Sequence, residues 1–310
     1  MIYTLRHRTA YRYGRPVHFA RCTLRLKPQD CEGQSVLASA VTIDPSPTRA
    51  VMRRDYFGID AVAITLEAPH TTFSVEALST VRVERPAPPP PESGMPWERV
   101  RDAALAGREI GGRAPVHFLF PSGRVPLLQA VTDYARPSFL PGRSAYGAAH
   151  DLMLRIGRDF RFDSKATTVY TPLADSFALR AGVCQDFAHV MIAGLRGLGL
   201  PAAYVSGYLR TRPPPGRPRL RGADASHAWV ALWCGADHGA GEGIGEGGWI
   251  GLDPTNACVV RDDHIVVARG RDYGDVAPLD GIVSGSGKQR LKVEVDVIPD
   301  TETQDLALVG

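Results

Sequence analysis

Long apolar runs are missing from this sequence. Nothing in its 310 residues approaches the ~18 consecutive apolar residues of a membrane-spanning helix. The N-terminal segment MIYTLRHRTAYRYGRPV carries arginine and histidine where a secretory signal needs an apolar core. No membrane association is expected, and the expected compartment is the cytoplasm. Charge excess is also missing: 36 basic against 33 acidic residues leave a net +3, which gives no warrant for nucleic-acid binding. Cysteine is scarce, with five residues at 22, 31, 184, 234 and 258. An odd, scattered set without a paired framework reads as free thiols in a reducing compartment. No Cys/His cluster has zinc spacing and no EF-hand calcium loop is present, so neither metal nor cofactor is expected. Disorder is excluded by 44% hydrophobic and 22% charged residues.

What is present is a change of pattern along the chain. Residues 1–85 read as an antiparallel β-domain. Tyr3, Leu5, His7, Thr9, Tyr11 and Tyr13 alternate with Arg6, Arg8 and Arg12, and β-rich runs follow at 20–27, 35–44, 61–67 and 72–85 between turn signals. Residues 86–96 are proline-rich and predict an extended surface linker, because proline fixes φ and removes amide donors. Residues 97–310 are mixed, giving an α+β chain overall. Helices are predicted at 97–105, 127–135, 146–160 and 183–198, and strands at 162–170, 203–211, 227–233 and 249–253. The 289–298 tail alternates again and is a candidate to close a sheet.

Three segments carry chemistry: AGVCQDFAH (181–189), DASHAWV (224–230) and WIGLDPT (249–255). Cys184 falls at the predicted start of a helix. Unsatisfied amides and the dipole there favour thiolate over thiol, and the same amides suit an oxyanion. A free cysteine is otherwise a small buried hydrophobe. His227 opens a strand, where its imidazole can take and return the thiol proton. Asp253 ends the next strand and can orient that ring, although an Asp before Pro is ordinarily a turn former.

The three frames GVCQDFAHV, ASHAWV and WIGLDPTN, in that order, resemble the transglutaminase-like superfamily of cysteine enzymes, and GLPAAYVSGY (199–208) extends the likeness. The resemblance covers roughly residues 145–260, and the β-rich start resembles the N-terminal β-domain of bacterial members. It implies a papain-like core with a helix packed on an antiparallel sheet. It assigns Cys184 as nucleophile, His227 as general base and acid, and Asp253 as orienting carboxylate.

Neighbouring side chains have two readings each. Gln185 and Tyr170 are candidate oxyanion donors, Gln185 set against its position after the cysteine, where the helix turns it away. Asp224 either lines the cleft for a cationic group or shapes a turn. Asp186 suits the helix dipole or a substrate amine, His189 caps or packs against the sheet, and Trp229 packs or binds substrate. The basic loop RPPPGRPRLR (212–221) reads as solvated surface near the site. The expected activity is hydrolysis of a peptide, isopeptide or small amide through a Cys184 thioester. Acyl transfer to an amine and a non-catalytic binding role are the alternatives.

Overall fold

The computed structural model describes residues 1–211, 225–235, 248–285 and 287–300. Its first strand, β1 (Ile2–Val17), buries Tyr3, Leu5, His7 and Thr9 and turns the intervening residues outward, as period-2 alternation dictates. β2 (Phe19–Leu24), β3 (Gln34–Asp44), β4 (Arg49–Arg54), β5 (Asp60–Leu66) and β6 (His70–Val83) follow. They divide between two antiparallel sheets. Ile64 and Leu66 of one face Phe73 and Val75 of the other in a shared core.

The remaining elements are α1 (Trp97–Ala106), α2 (Gln129–Ala135), α3 (Ala145–Asp159), β7 (Arg161–Phe162), α4 (Leu173–Leu179), β8 (Ala181–Gly182) and α5 (Cys184–Gly197), then β9 (Ala202–Leu209), β10 (Ala225–Trp233), β11 (Trp249–Asp253), β12 (Cys258–Val259), β13 (His264–Gly270), α6 (Tyr273–Val276), β14 (Leu279–Ser284) and β15 (Gln289–Pro299). A five-stranded antiparallel sheet runs β12-β11-β10-β9-β13. Against it packs α5, buried from Gln185 through Arg196 because α2 covers its other side.

Chain order does not follow sheet membership. β15 pairs antiparallel with β1 and β14 with β2, so the C-terminal strands complete the two N-terminal sheets, in the orders β15-β1-β6-β3 and β14-β2-β5-β4. Residues 279–299, grouped by sequence order with the mixed segment 97–310, are thus bonded to the N-terminal strands. The strand expected over 162–170 shrinks to Arg161–Phe162, which pairs with β8. Beyond it, the Asp163 carboxylate accepts from the Lys165 amide and the Thr171 hydroxyl accepts from the Thr168 amide. Such local bonds offer the backbone an alternative to a ladder.

The sheets are tied together by side chains. The Gln34 amide of β3 bonds both the N–H and the C=O of Val266 on β13, each at 2.8 Å. Arg85 donates to the carbonyls of Arg261 and His264 at 3.0 and 2.7 Å. His7 of β1 meets the Tyr208 hydroxyl of β9 at 2.9 Å. The N-terminal strands therefore brace the edge strand of the five-stranded sheet.

Candidate active site

The position of Cys184 follows from a short local frame. Val183 is extended (φ −108°, ψ 178°), and α5 begins at the next residue, Cys184. The Asp186 carboxylate accepts the Val183 N–H at 2.8 Å and the Thr167 hydroxyl at 2.6 Å, which fixes the helix entry. A Cβ at Gly182 would lie 2.3 Å from that carboxylate, so only glycine fits beside the cap. Asp186 thus shapes the helix start, as its place in the first turn suggested.

Asp253 is fully buried and is the most heavily bonded group of the site. One oxygen, Oδ1, accepts the backbone N–H groups of Thr255 and Asn256 at 3.0 and 3.2 Å and forms the Asp-Pro-Thr-Asn turn. The other, Oδ2, accepts from His227 Nε2 at 2.7 Å, Asn256 Nδ2 at 2.7 Å and His264 Nε2 at 3.1 Å. The turn-forming and orienting roles belong to the two oxygens of one carboxylate. Burial alone would raise its pKa, but hydrogen bonds from His227 and His264 hold it well below the usual carboxylate range.

With Nε2 of His227 committed to Asp253, its Nδ1 is the nitrogen left for a second partner, and the Cys184 side chain is near enough to raise the pKa of the ring. Burial disfavours the imidazolium here. The bonds to Asp253 and Cys184 outweigh it and push the His227 pKa up to about 10. The ring is therefore a proton donor at neutral pH, poised between sulfur and carboxylate.

His264 was not anticipated. It opens β13, and its Nδ1 lies 3.4 Å from the Arg261 N–H, so the proton sits on Nε2 and points at Asp253. Its ring stands edge-on to Trp229, 5.3 Å between centroids. Trp229 can lie across β9 because Gly207, opposite His227, has no side chain: a Cβ there would come within 2.4 Å of the indole. Tyr204 of β9 is the other unanticipated residue. Its ring packs on His189 at 5.0 Å, and its hydroxyl, its pKa pushed up mainly by burial and further by Cys184, stays protonated. A tyrosine in the AAYVSGY strand facing the nucleophile helix was the available signal.

The remaining candidates lie as follows. Gln185 donates its side-chain amide to the Val169 carbonyl at 3.3 Å. Tyr170 is 76% exposed, with the Arg124 guanidinium 5.3 Å from its ring. His189 is buried and accepts the Tyr273 N–H, and burial holds its pKa down to about 4. Asp224 and the 212–221 loop lie outside the described residues. His227, Asp253 and His264 gather three potential metal ligands within 4.8 Å. However, 2.7 and 3.1 Å are hydrogen-bond lengths with the carboxylate accepting, shorter than the roughly 3.3 Å between ligand atoms on a tetrahedral zinc. Trp229, Trp233 and Trp249 help line a cavity of about 660 Å³ whose lining does not include Cys184, His227 or Asp253. No helix among the described residues is long and apolar enough to cross a membrane.

A cysteine at the start of a buried helix, set against a histidine and an aspartate on adjacent antiparallel strands, is an arrangement of the papain-like fold. The chain belongs to the transglutaminase-like superfamily: the model of that superfamily matches residues 132–254, and the model of the bacterial transglutaminase-like N-terminal region matches residues 3–82. An uncharacterized protein of Mycobacterium tuberculosis is 40% identical over 96% of this chain and 92% of its own length. A protein-glutamine gamma-glutamyltransferase of Pseudomonas aeruginosa is 29% identical over 36% of this chain and 17% of its own. Among solved structures, a candidate cysteine protease of Cytophaga hutchinsonii superposes with a TM-score of 0.71 at 21% identity, over 96% of this chain and 91% of that one.

Proposed function

We propose that the chain is a thiol-dependent hydrolase of peptides, isopeptides or small amides. The observation that carries this is the continuous relay from Cys184 through His227 to a buried, ionised Asp253. The sulfur attacks the amide carbon, and the C=O pair moves onto oxygen. The Cys184 and Gln185 amides at the start of α5, which a helix leaves without internal partners, and the protonated Tyr204 hydroxyl are the donors available to that oxyanion. Collapse breaks the C–N bond, and His227 gives its proton to the departing amine. His227, now neutral, takes a proton from water as the water attacks the thioester. The acid leaves and the thiolate–imidazolium pair is restored.

A second reading is transfer of the acyl group to an amine, favoured by the likeness to the gamma-glutamyltransferase. It shares every step up to the thioester. A purely binding role has less support, because the full relay stands assembled. The free cysteines favour a reducing compartment such as the cytoplasm for this activity.

Cys184→Ala is expected to remove turnover, a loss of at least about 10³-fold, with an unchanged melting temperature. Iodoacetamide should label Cys184 ahead of the other four cysteines, read by peptide mass spectrometry. Equal labelling of all five, or activity in the alanine variant, overturns the reading. Mass-spectrometric capture of a Cys184 acyl adduct with and without added primary amine separates hydrolysis from transfer.

A further inference from the structure

One cation linked through a carbonyl to the start of α5, Arg124, has no task in the mechanism. Arg124 lies in the segment leading into α2. Its backbone N–H donates to Asp272 Oδ2 at 2.8 Å, and its Nη1 donates to the Val169 carbonyl at 2.8 Å. That same oxygen accepts the side-chain amide of Gln185, the residue next to Cys184. Guanidinium and nucleophile helix therefore converge on a single carbonyl. The Arg124 plane is further held over the Tyr170 ring at 5.3 Å.

Its charge is not neutralised by an ion pair with a described carboxylate. Asp272, the acid nearest along its bonds, takes the backbone amides of Arg124 and Gly274 and the Ser122 hydroxyl instead. Arg271, by contrast, is held by both oxygens of Asp275. Tyr273, its pKa raised chiefly by burial, also feels the charges of Arg124 and Cys184, and those of Tyr170 and Asp280. A guanidinium carries five N–H donors in a rigid fork, and the one bond to Val169 leaves the rest of that fork available.

We propose that Arg124 is a specificity-determining residue that binds a carboxylate of the substrate close to the scissile amide, with Tyr170 and Tyr273 as the flanking walls. The substrate class becomes an acidic amide or peptide. This rests on Cys184 being the nucleophile of the proposed activity. If Arg124 served only to staple two loops, its bond to Val169 would be its whole role and its charge would be immaterial.

The test compares alkylation of Cys184 by iodoacetate and by iodoacetamide. Both form the same S–C bond and expel iodide; they differ in a carboxylate against a carboxamide. In the unmodified protein the iodoacetate/iodoacetamide rate ratio should fall as salt is added. In Arg124→Met it should drop about tenfold, and in Arg124→Lys by less, because a point charge remains. A ratio in Arg124→Met within twofold of the unmodified protein overturns the inference. So does a salt-independent ratio, which needs no variant to fold. If neither reagent prefers Cys184 over the other cysteines, it is the proposed thiol activity that fails.

Discussion

The two kinds of sheet in this molecule treat water differently. In the N-terminal pair, strands alternate: β6 buries Phe73, Val75 and Ala77 and sends Thr72, Ser74 and Glu76 outward, and all six residues of β4 are exposed. In the five-stranded sheet, β9 is buried from Ala202 through Tyr208 and β13 is buried at six of its seven positions. Polar groups of the first kind solve their hydrogen bonding with water. Those of the second must find partners inside, which is why His227, His264 and Asn256 converge on one oxygen of Asp253. Two-sided burial is what turns an ordinary turn-forming aspartate into an electrostatic anchor.

The sharpest way to break this comparison is Asp253→Asn. The amide keeps the turn-forming oxygen and the shape. It removes the negative charge and presents a donor where His227 and His264 already donate. Turnover should fall by about 10³- to 10⁴-fold, as expected when an orienting carboxylate is lost. The alkaline limb of Cys184 alkylation, set by His227 near pH 10, should move down toward 6.5. A limb that stays at 10 would mean the carboxylate does not hold the imidazolium.

A second effect tests the seam between the regions. His7 is buried against Tyr208 and Thr9, and burial lowers its pKa to about 4 from the usual 6.5. Between those values the unfolded chain binds the proton and the folded one does not, so stability falls as pH drops through that window. The full extent is about 3 kcal/mol at 1.36 kcal/mol per unit. His227, with its raised pKa, contributes no slope there, since both states are already protonated. His7→Gln should flatten the pH dependence of urea unfolding between pH 6.5 and 4, leaving the slope that His189 supplies.

Legibility in the sequence followed the same division. The alternation of β1, the apolar stripe of α5 and the limits of β11 are local patterns and could be read directly. β13 could not, because HIVVARG is a short apolar run without a period, the mark of a strand buried on both faces. β4 failed for the opposite reason, having no buried face to pattern. The return of β14 and β15 to the N-terminal sheets depends on pairings more than two hundred residues apart, which no window along the chain contains. In the site, Cys184, His227 and Asp253 were legible from three local frames. His264 was not: it is a lone histidine after a turn, and it approaches Asp253 only because β13 lies beside β9 and Gly207 leaves room for Trp229.

His264 provides the finest discrimination between packing and polarity. As a positioning residue it supplies one of three donors to Asp253 Oδ2, and Asn256 with the Thr255 amide would remain after its loss. His264→Phe fills the same space against Trp229 and removes that donor. A hydrogen bond to a charged group is worth roughly 1.5–3 kcal/mol, so kcat should fall at least about tenfold, far less than for Asp253→Asn. A role confined to packing would lower the melting temperature and leave the pH profile in place. A positioning role also draws the alkaline limb below 10, because Asp253 is less firmly held as the partner of His227. His264→Gln, whose amide can donate from a similar place, should restore part of both. Failure of Gln to restore either, with the profile unmoved in Phe, would reduce His264 to a wall of the core.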